Sequence, residues 1–190
     1  SEAKALQDYI ALARGYLDQG DLRSAKRHLN NAAGIDRNNA EVHAIWALVY
    51  AREGEAALAD ENFRRSLRID SRNSQARNNY AAFLFANQRY QDAYRELEIV
   101  VQDTEYSARP QAFENLGLAA LRLNERENAE QAFTRAIQLN PNQLGSMLEL
   151  TGINLSKQNV EMAARYYRNY LTLLQFYNLE PNARSLWLGI

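Results

Sequence analysis

The stretch GEAALADENFRRSLRID (Gly54–Asp70) decides the fold, because the chain writes it five times. Its apolar residues stand at fixed helical offsets: Ala59, then Phe63, then Leu67. One step back it reads GDLRSAKRHLNNAAGID (Gly20–Asp36), with Ala25 and Leu29 in the matching places. Forward it becomes QRYQDAYRELEIVVQD (Gln88–Asp103), with Ala93 and Leu97, and then NERENAEQAFTRAIQLN (Asn124–Asn140), with Ala129 and Phe133. The last copy is QNVEMAARYYRNYLTLL (Gln158–Leu174), with Ala163 and Tyr167. The alanines at 25, 59, 93, 129 and 163 are 34, 34, 36 and 34 residues apart. A period of that size predicts stacked helical hairpins, each too small to bury its apolar face alone.

Upstream of each copy runs a second amphipathic segment, so each repeat divides into two helices of period near 3.6. Leu6, Tyr9, Leu12, Ala13 and Tyr16 make one face of the first; Gly20-Asp21 supplies a turn and a cap for the next. The reading is a single array over residues 1–190, with repeats at about 6–39, 40–73, 74–109, 110–143 and 144–181. A lengthened link, Asp103 to Arg109, accounts for the spacing of 36, and Pro110 suits a first helical turn. After Pro181 the start of a sixth repeat is expected, incomplete at 182–190.

Small residues carry the packing logic. Ala13, Ala47, Ala81, Gly117 and Thr151 on the first helices should meet the five alanines on the second. The bulky residue four places later would then fill the gap to the next hairpin. Repeat five departs from this, with Thr151 in place of a small apolar residue and Tyr170 in place of an alanine, and predicts a looser hairpin.

Composition excludes several classes of function. A net charge of −1, with nineteen arginines and three lysines scattered along the chain, argues against nucleic acid as the partner. There is no cysteine for disulfide or thiolate chemistry, and no apolar run reaches the roughly 20 residues of a membrane span. The two histidines, His28 and His43, lie in different repeats, and His43 occupies a packing position. No metalloprotease, nucleophile-elbow or phosphate-loop motif is present. The reading is therefore of a chain that is no enzyme and has no cofactor, metal or catalytic residues.

These residues resemble the tetratricopeptide repeat over essentially the whole chain, which implies an all-α, right-handed superhelical solenoid of antiparallel helix pairs. In such arrays the first helices line a concave face, and projecting that register onto this chain marks two zones. The first is Ile10, Leu17, Ala44, Leu48 and Ala51, with Arg14, Asp18, Glu41 and Arg52 at its margins. This is an apolar groove with charged edges, suited to an amphipathic helix or an extended apolar peptide. The second is Gln75, Asn78, Ala82, Phe85, Gln111, Glu114, Leu118 and Arg122, with Asn79 and Asn115 beside them, able to hydrogen-bond a peptide backbone. The competing assignment for any one apolar member is a seal between neighbouring helices. Concave cations are sparse, which disfavours the paired Lys and Asn clamp of chaperone-cofactor repeats.

Three further segments resemble one subfamily: RNNYAAFL (Arg77–Leu84), DTEYSARP (Asp103–Pro110) leading into ENLGLAALR (Glu114–Arg122), and SLWLGI (Ser185–Ile190). Together they are similar to the type IV pilus biogenesis and stability lipoproteins, the PilF/PilW pilotins. The resemblance implies a monomeric scaffold on the periplasmic face of the outer membrane, held there only by an N-terminal lipid anchor outside this chain. Its implied partners are secretin subunits of the pilus machinery, which it would help to localise and assemble. The alternative is a generic tetratricopeptide adaptor for an unrelated partner in the cytosol or periplasm.

Overall fold

The computed structural model describes residues 1–181. The sixth-repeat helix and the SLWLGI segment lie outside the described residues. Among the described residues there are ten α-helices and no strand: α1 (Glu2–Asp18), α2 (Leu22–Ile35), α3 (Ala40–Arg52), α4 (Ala56–Ile69), α5 (Ser74–Ala86), α6 (Tyr90–Val100), α7 (Arg109–Arg122), α8 (Arg126–Leu139), α9 (Leu144–Ser156) and α10 (Val160–Phe176). The fold is an all-α tetratricopeptide solenoid. The contacts of the described residues divide into two compact units, one of residues 1–83 and one from residue 84 onward.

The hairpin turns repeat as faithfully as the alanines. Gly20, Gly54, Gln88, Asn124 and Gln158 all take positive φ, between 59° and 80°. After each comes the same bond, from the next backbone N–H to a carbonyl of the preceding helix: Asp21 to Tyr16, Glu55 to Tyr50, Arg89 to Leu84, Glu125 to Ala120 and Asn159 to Asn154, each 2.9 Å. This closes the helix C-terminus by satisfying an orphan carbonyl, and it needs a left-handed residue just past the end. Glycine takes that conformation freely and glutamine does not. Between hairpins, Asp36, Asp70 and Asn140 each accept from the N–H two residues on, at 3.0, 3.1 and 3.0 Å. These side chains set the polar turns.

In the first unit, α1 packs on α2 and α3 on α4, with Ala13, Ala25, Ala47 and Ala59 wholly buried between them. Leu29 and Ala32 of α2 share one core cluster with Val42, Ile45 and Val49 of α3. Phe63 of α4, also fully buried, lies 5.2 Å from the Tyr80 ring and 5.5 Å from Phe83. Burial of a side chain of this kind is worth about 1.5–3 kcal/mol. The Tyr80 hydroxyl donates to Asp60 at 2.8 Å and accepts from Arg64 at 3.2 Å, tying α5 to α4. Burial first, and the Asp60 carboxylate after it, hold that phenol above the usual tyrosine range.

In the second unit, α7 packs on α8 and α9 on α10. Gly117 lies under the Phe133 ring, where an added Cβ would come within 2.6 Å of Cε1. Phe133 reaches on to Leu150 and Ile153 of α9 in the same core cluster. The fifth hairpin differs. Thr151, Ala163 and Tyr170 are buried while Tyr167 is only half-buried. A cavity of about 250 Å³ opens beside them, lined by Thr151, Leu155, Val160, Ala163, Ala164 and Tyr167.

Candidate functional site

The structure divides the register-marked residues by what they touch. In the first unit, Ile10 and Leu17 are buried at 2% exposure each, within the cluster that joins α1 to α2 and α3. They seal helices and present nothing to a partner, so the apolar groove expected there loses two of its members to the core. Ala44 is buried as well, and Leu48 and Ala51 remain half-exposed. Three of the four flanking charges are spent within the unit, while Asp18 stays exposed. Arg14 pairs with Glu41, joining α1 to α3, and the Arg52 guanidinium donates to the Leu17 carbonyl at the end of α1. On α5, Asn78 and Asn79 are half-buried and Ala82 is exposed, and the Gln75 amide donates to Asn79 at 3.1 Å.

In the second unit, Glu114 of α7 accepts from the Ser146 N–H and from its hydroxyl, both at 2.7 Å. Ser146 lies in the first turn of α9, so the carboxylate caps that helix where its dipole favours negative charge. Gly145 leaves the space, since an added Cβ would meet Glu114 Oε1 at 2.6 Å. Gln111 donates to Glu114 at 3.2 Å and to Asn115 at 3.3 Å. Leu118 is half-buried against the core of α8 and α9.

Arg122 is held differently. It is exposed, and its guanidinium stands 5.8 Å from the centroid of the Phe85 ring and 5.8 Å from that of Tyr90. The two rings meet edge to face at 5.1 Å. Among the described residues it has no hydrogen bond or ion pair. Cation–π contact of this kind orients a guanidinium while leaving its N–H donors outward.

The histidines serve packing. His43 is buried between Asn62 Oδ1 at 3.0 Å and the Arg37 carbonyl at 3.2 Å, and His28 stacks on Tyr16. Among the described residues no group of three or more His, Asp and Glu side chains could hold a metal ion. No helix there is long and apolar enough to cross a membrane.

Comparison with known proteins adds the lineage. The chain is 40% identical over 98% of its length to the type IV pilus assembly protein PilF of Pseudomonas aeruginosa, covering 72% of that protein. The chain belongs to the PilF family. A solved structure of P. aeruginosa PilF superposes with a TM-score of 0.92 at 38% identity, covering 99% of this chain and 82% of that one. The type IV pilus biogenesis factor PilW superposes at 0.82 with 22% identity, over 97% of this chain and 82% of its own, a likeness of fold. The tetratricopeptide repeat family model matches residues 110–143 of this PilF-family chain, the hairpin of α7 and α8.

Two surface features of this PilF-family chain escaped the register. Tyr90 opens a second helix, outside the positions scanned, yet it forms half of the Arg122 cradle. On α1, Asp8, Ala11, Leu12, Gly15, Tyr16 and Gln19 line a shallow depression of about 710 Å³. Leu12 is 45% exposed there, whereas Leu116 and Leu150, at the same place in later repeats, are 8% and 0%.

Proposed function

We propose that this chain is a non-enzymatic, pilotin-like scaffold that assists outer-membrane localisation and assembly of the type IV pilus secretin. The observation that carries the reading is likeness to PilF over nearly the whole chain, in sequence and in fold. A stack of hairpins supports it physically, because rigid helices hold a row of side chains at fixed spacing, as a protein-binding surface requires. Secretin subunits are the proposed partners. Membrane attachment would come from an N-terminal lipid, with the helices on the periplasmic face of the outer membrane.

The surface proposed for binding lies on the first-helix faces, in the first unit at Leu48, Ala51, Asn78, Asn79 and Ala82, and in the second at Phe85, Asn115, Leu118 and Arg122. The test is deletion and complementation in the source organism. Without the protein, secretin multimers should be depleted from the outer-membrane fraction, and the full-length gene should restore them. Unchanged multimers in the deletion strain would overturn the reading.

A further inference from the structure

We propose that Arg122, cradled by Phe85 and Tyr90, is the anchor for an acidic side chain of a protein partner, and that Leu118 takes a neighbouring aliphatic residue of the same segment. The inference deepens the scaffold reading above and rests on it for the partner tested first.

The argument is one of charge accounting on the first-helix faces. Arg14 is matched by Glu41, Arg52 by a carbonyl, and Glu114 by two donors of Ser146. Arg122 is matched by nothing but ring faces. A guanidinium so held is already oriented, so a carboxylate arriving from outside meets an ordered fork and forms charge-assisted bonds. Arg122 also stands in the last turn of α7, where the dipole favours a cation and helps keep it in place.

The surroundings select the chemistry of the segment. Gln111, Asn115, Leu118 and Arg122 lie at i, i+4, i+7 and i+11, one stripe of α7. Leu118 and Arg122 are one turn apart, about 6 Å along the axis. A partner helix spans that with residues four apart, and a partner strand spans it with residues two apart, about 6.6 Å. The segment therefore carries Asp or Glu at one such position and a Leu, Ile or Val at the other. A chain-terminal carboxylate is not required, since a single cation beside an apolar residue does not form a two-sided clamp.

The test measures binding of the full chain to the purified periplasmic region of the type IV pilus secretin. R122Q should weaken binding about tenfold and R122E about a hundredfold. R122K should fall between wild type and R122Q, because lysine keeps the charge and loses the planar fork. A single Asp or Glu to Arg change in the secretin should restore binding to R122E. Circular dichroism checks that each variant folds. R122E binding within twofold of wild type overturns the anchor and leaves the scaffold reading standing. If wild type does not bind the secretin at all, that overturns the partner assignment, and a second measurement decides the anchor. A helical peptide blocked at both ends, carrying Leu and Glu four residues apart, is titrated against the chain, with its Gln counterpart as control. The Glu peptide should move the Arg122 Nε resonance and the Gln peptide should not. Equal shifts, or none, overturn the anchor.

Discussion

Arg14 and Arg122 occupy the same kind of place, on the outward stripe of a first helix, and the repeat register marks both. The structure gives them opposite fates. Arg14 finds Glu41 on the next first helix and becomes part of the scaffold. Arg122 finds two aromatic faces and keeps its hydrogen-bonding capacity for something else. The apolar neighbours follow the same division. Ile10 and Leu17 sink into the core, while Leu118 stays partly open. A repeat position therefore fixes where a side chain starts from. What it is available for depends on the residue that the adjoining repeat happens to place beside it.

The largest expected difference between the two faces is in stability. Ile10→Ala and Leu17→Ala should each cost about 2–5 kcal/mol, as core truncations do, and Leu118→Ala about 1 kcal/mol. Urea unfolding followed by circular dichroism reads this directly. Equal costs at all three positions would mean that the faces are not divided in this way. Binding comes next. R122Q should weaken the partner complex about tenfold, whereas Arg14→Gln should leave it within twofold and cost no more than about 1 kcal/mol of stability.

Glu114 sharpens the comparison from the other side, because it is a marked residue that has become structural. Glu114→Gln should destabilise the chain by about 1–2 kcal/mol, through loss of a charged cap on α9, while leaving the Arg122 resonance unmoved. The smallest effect concerns the turns. Gln158→Gly should stabilise by roughly 0.5 kcal/mol, since glycine removes the left-handed penalty and returns part of it as unfolded-chain entropy. Gly54→Ala should cost about 1 kcal/mol at the matching turn. Thermal midpoints of the two variants, moving in opposite directions, check the pair.

Much of this was legible in the chain. Five alanines at a near-constant spacing announced the helix pairs, and the one lengthened interval announced the longer link before α7. Gly20 and Gly54 announced the left-handed backbone of their turns; a turn was readable at Gln88-Arg89 as well, but not that Gln88 and Gln158 take the same left-handed backbone. There the hydrogen-bonded helix end and the packing of both helices impose a conformation that the residue itself resists. Gly117 was read as a small residue facing Ala129, and the structure shows what its smallness serves, which is the Phe133 ring. The candidate site was less legible, because exposure belongs to pairs of residues and not to single positions.

The sequence by itself determined the helix pairs, their number among the described residues, their turns and the small-residue notches between them. These depend on interactions within one repeat or between adjacent ones, and a period of 34 residues exposes them. Tertiary structure alone decided which first-helix residues were consumed in joining repeats and which were left outward. Glu41 lies 27 residues beyond Arg14, and Tyr90 lies 32 before Arg122. Only the packing of separate helices brings such residues together, and with them the difference between a charge that holds the scaffold and one free to hold a partner.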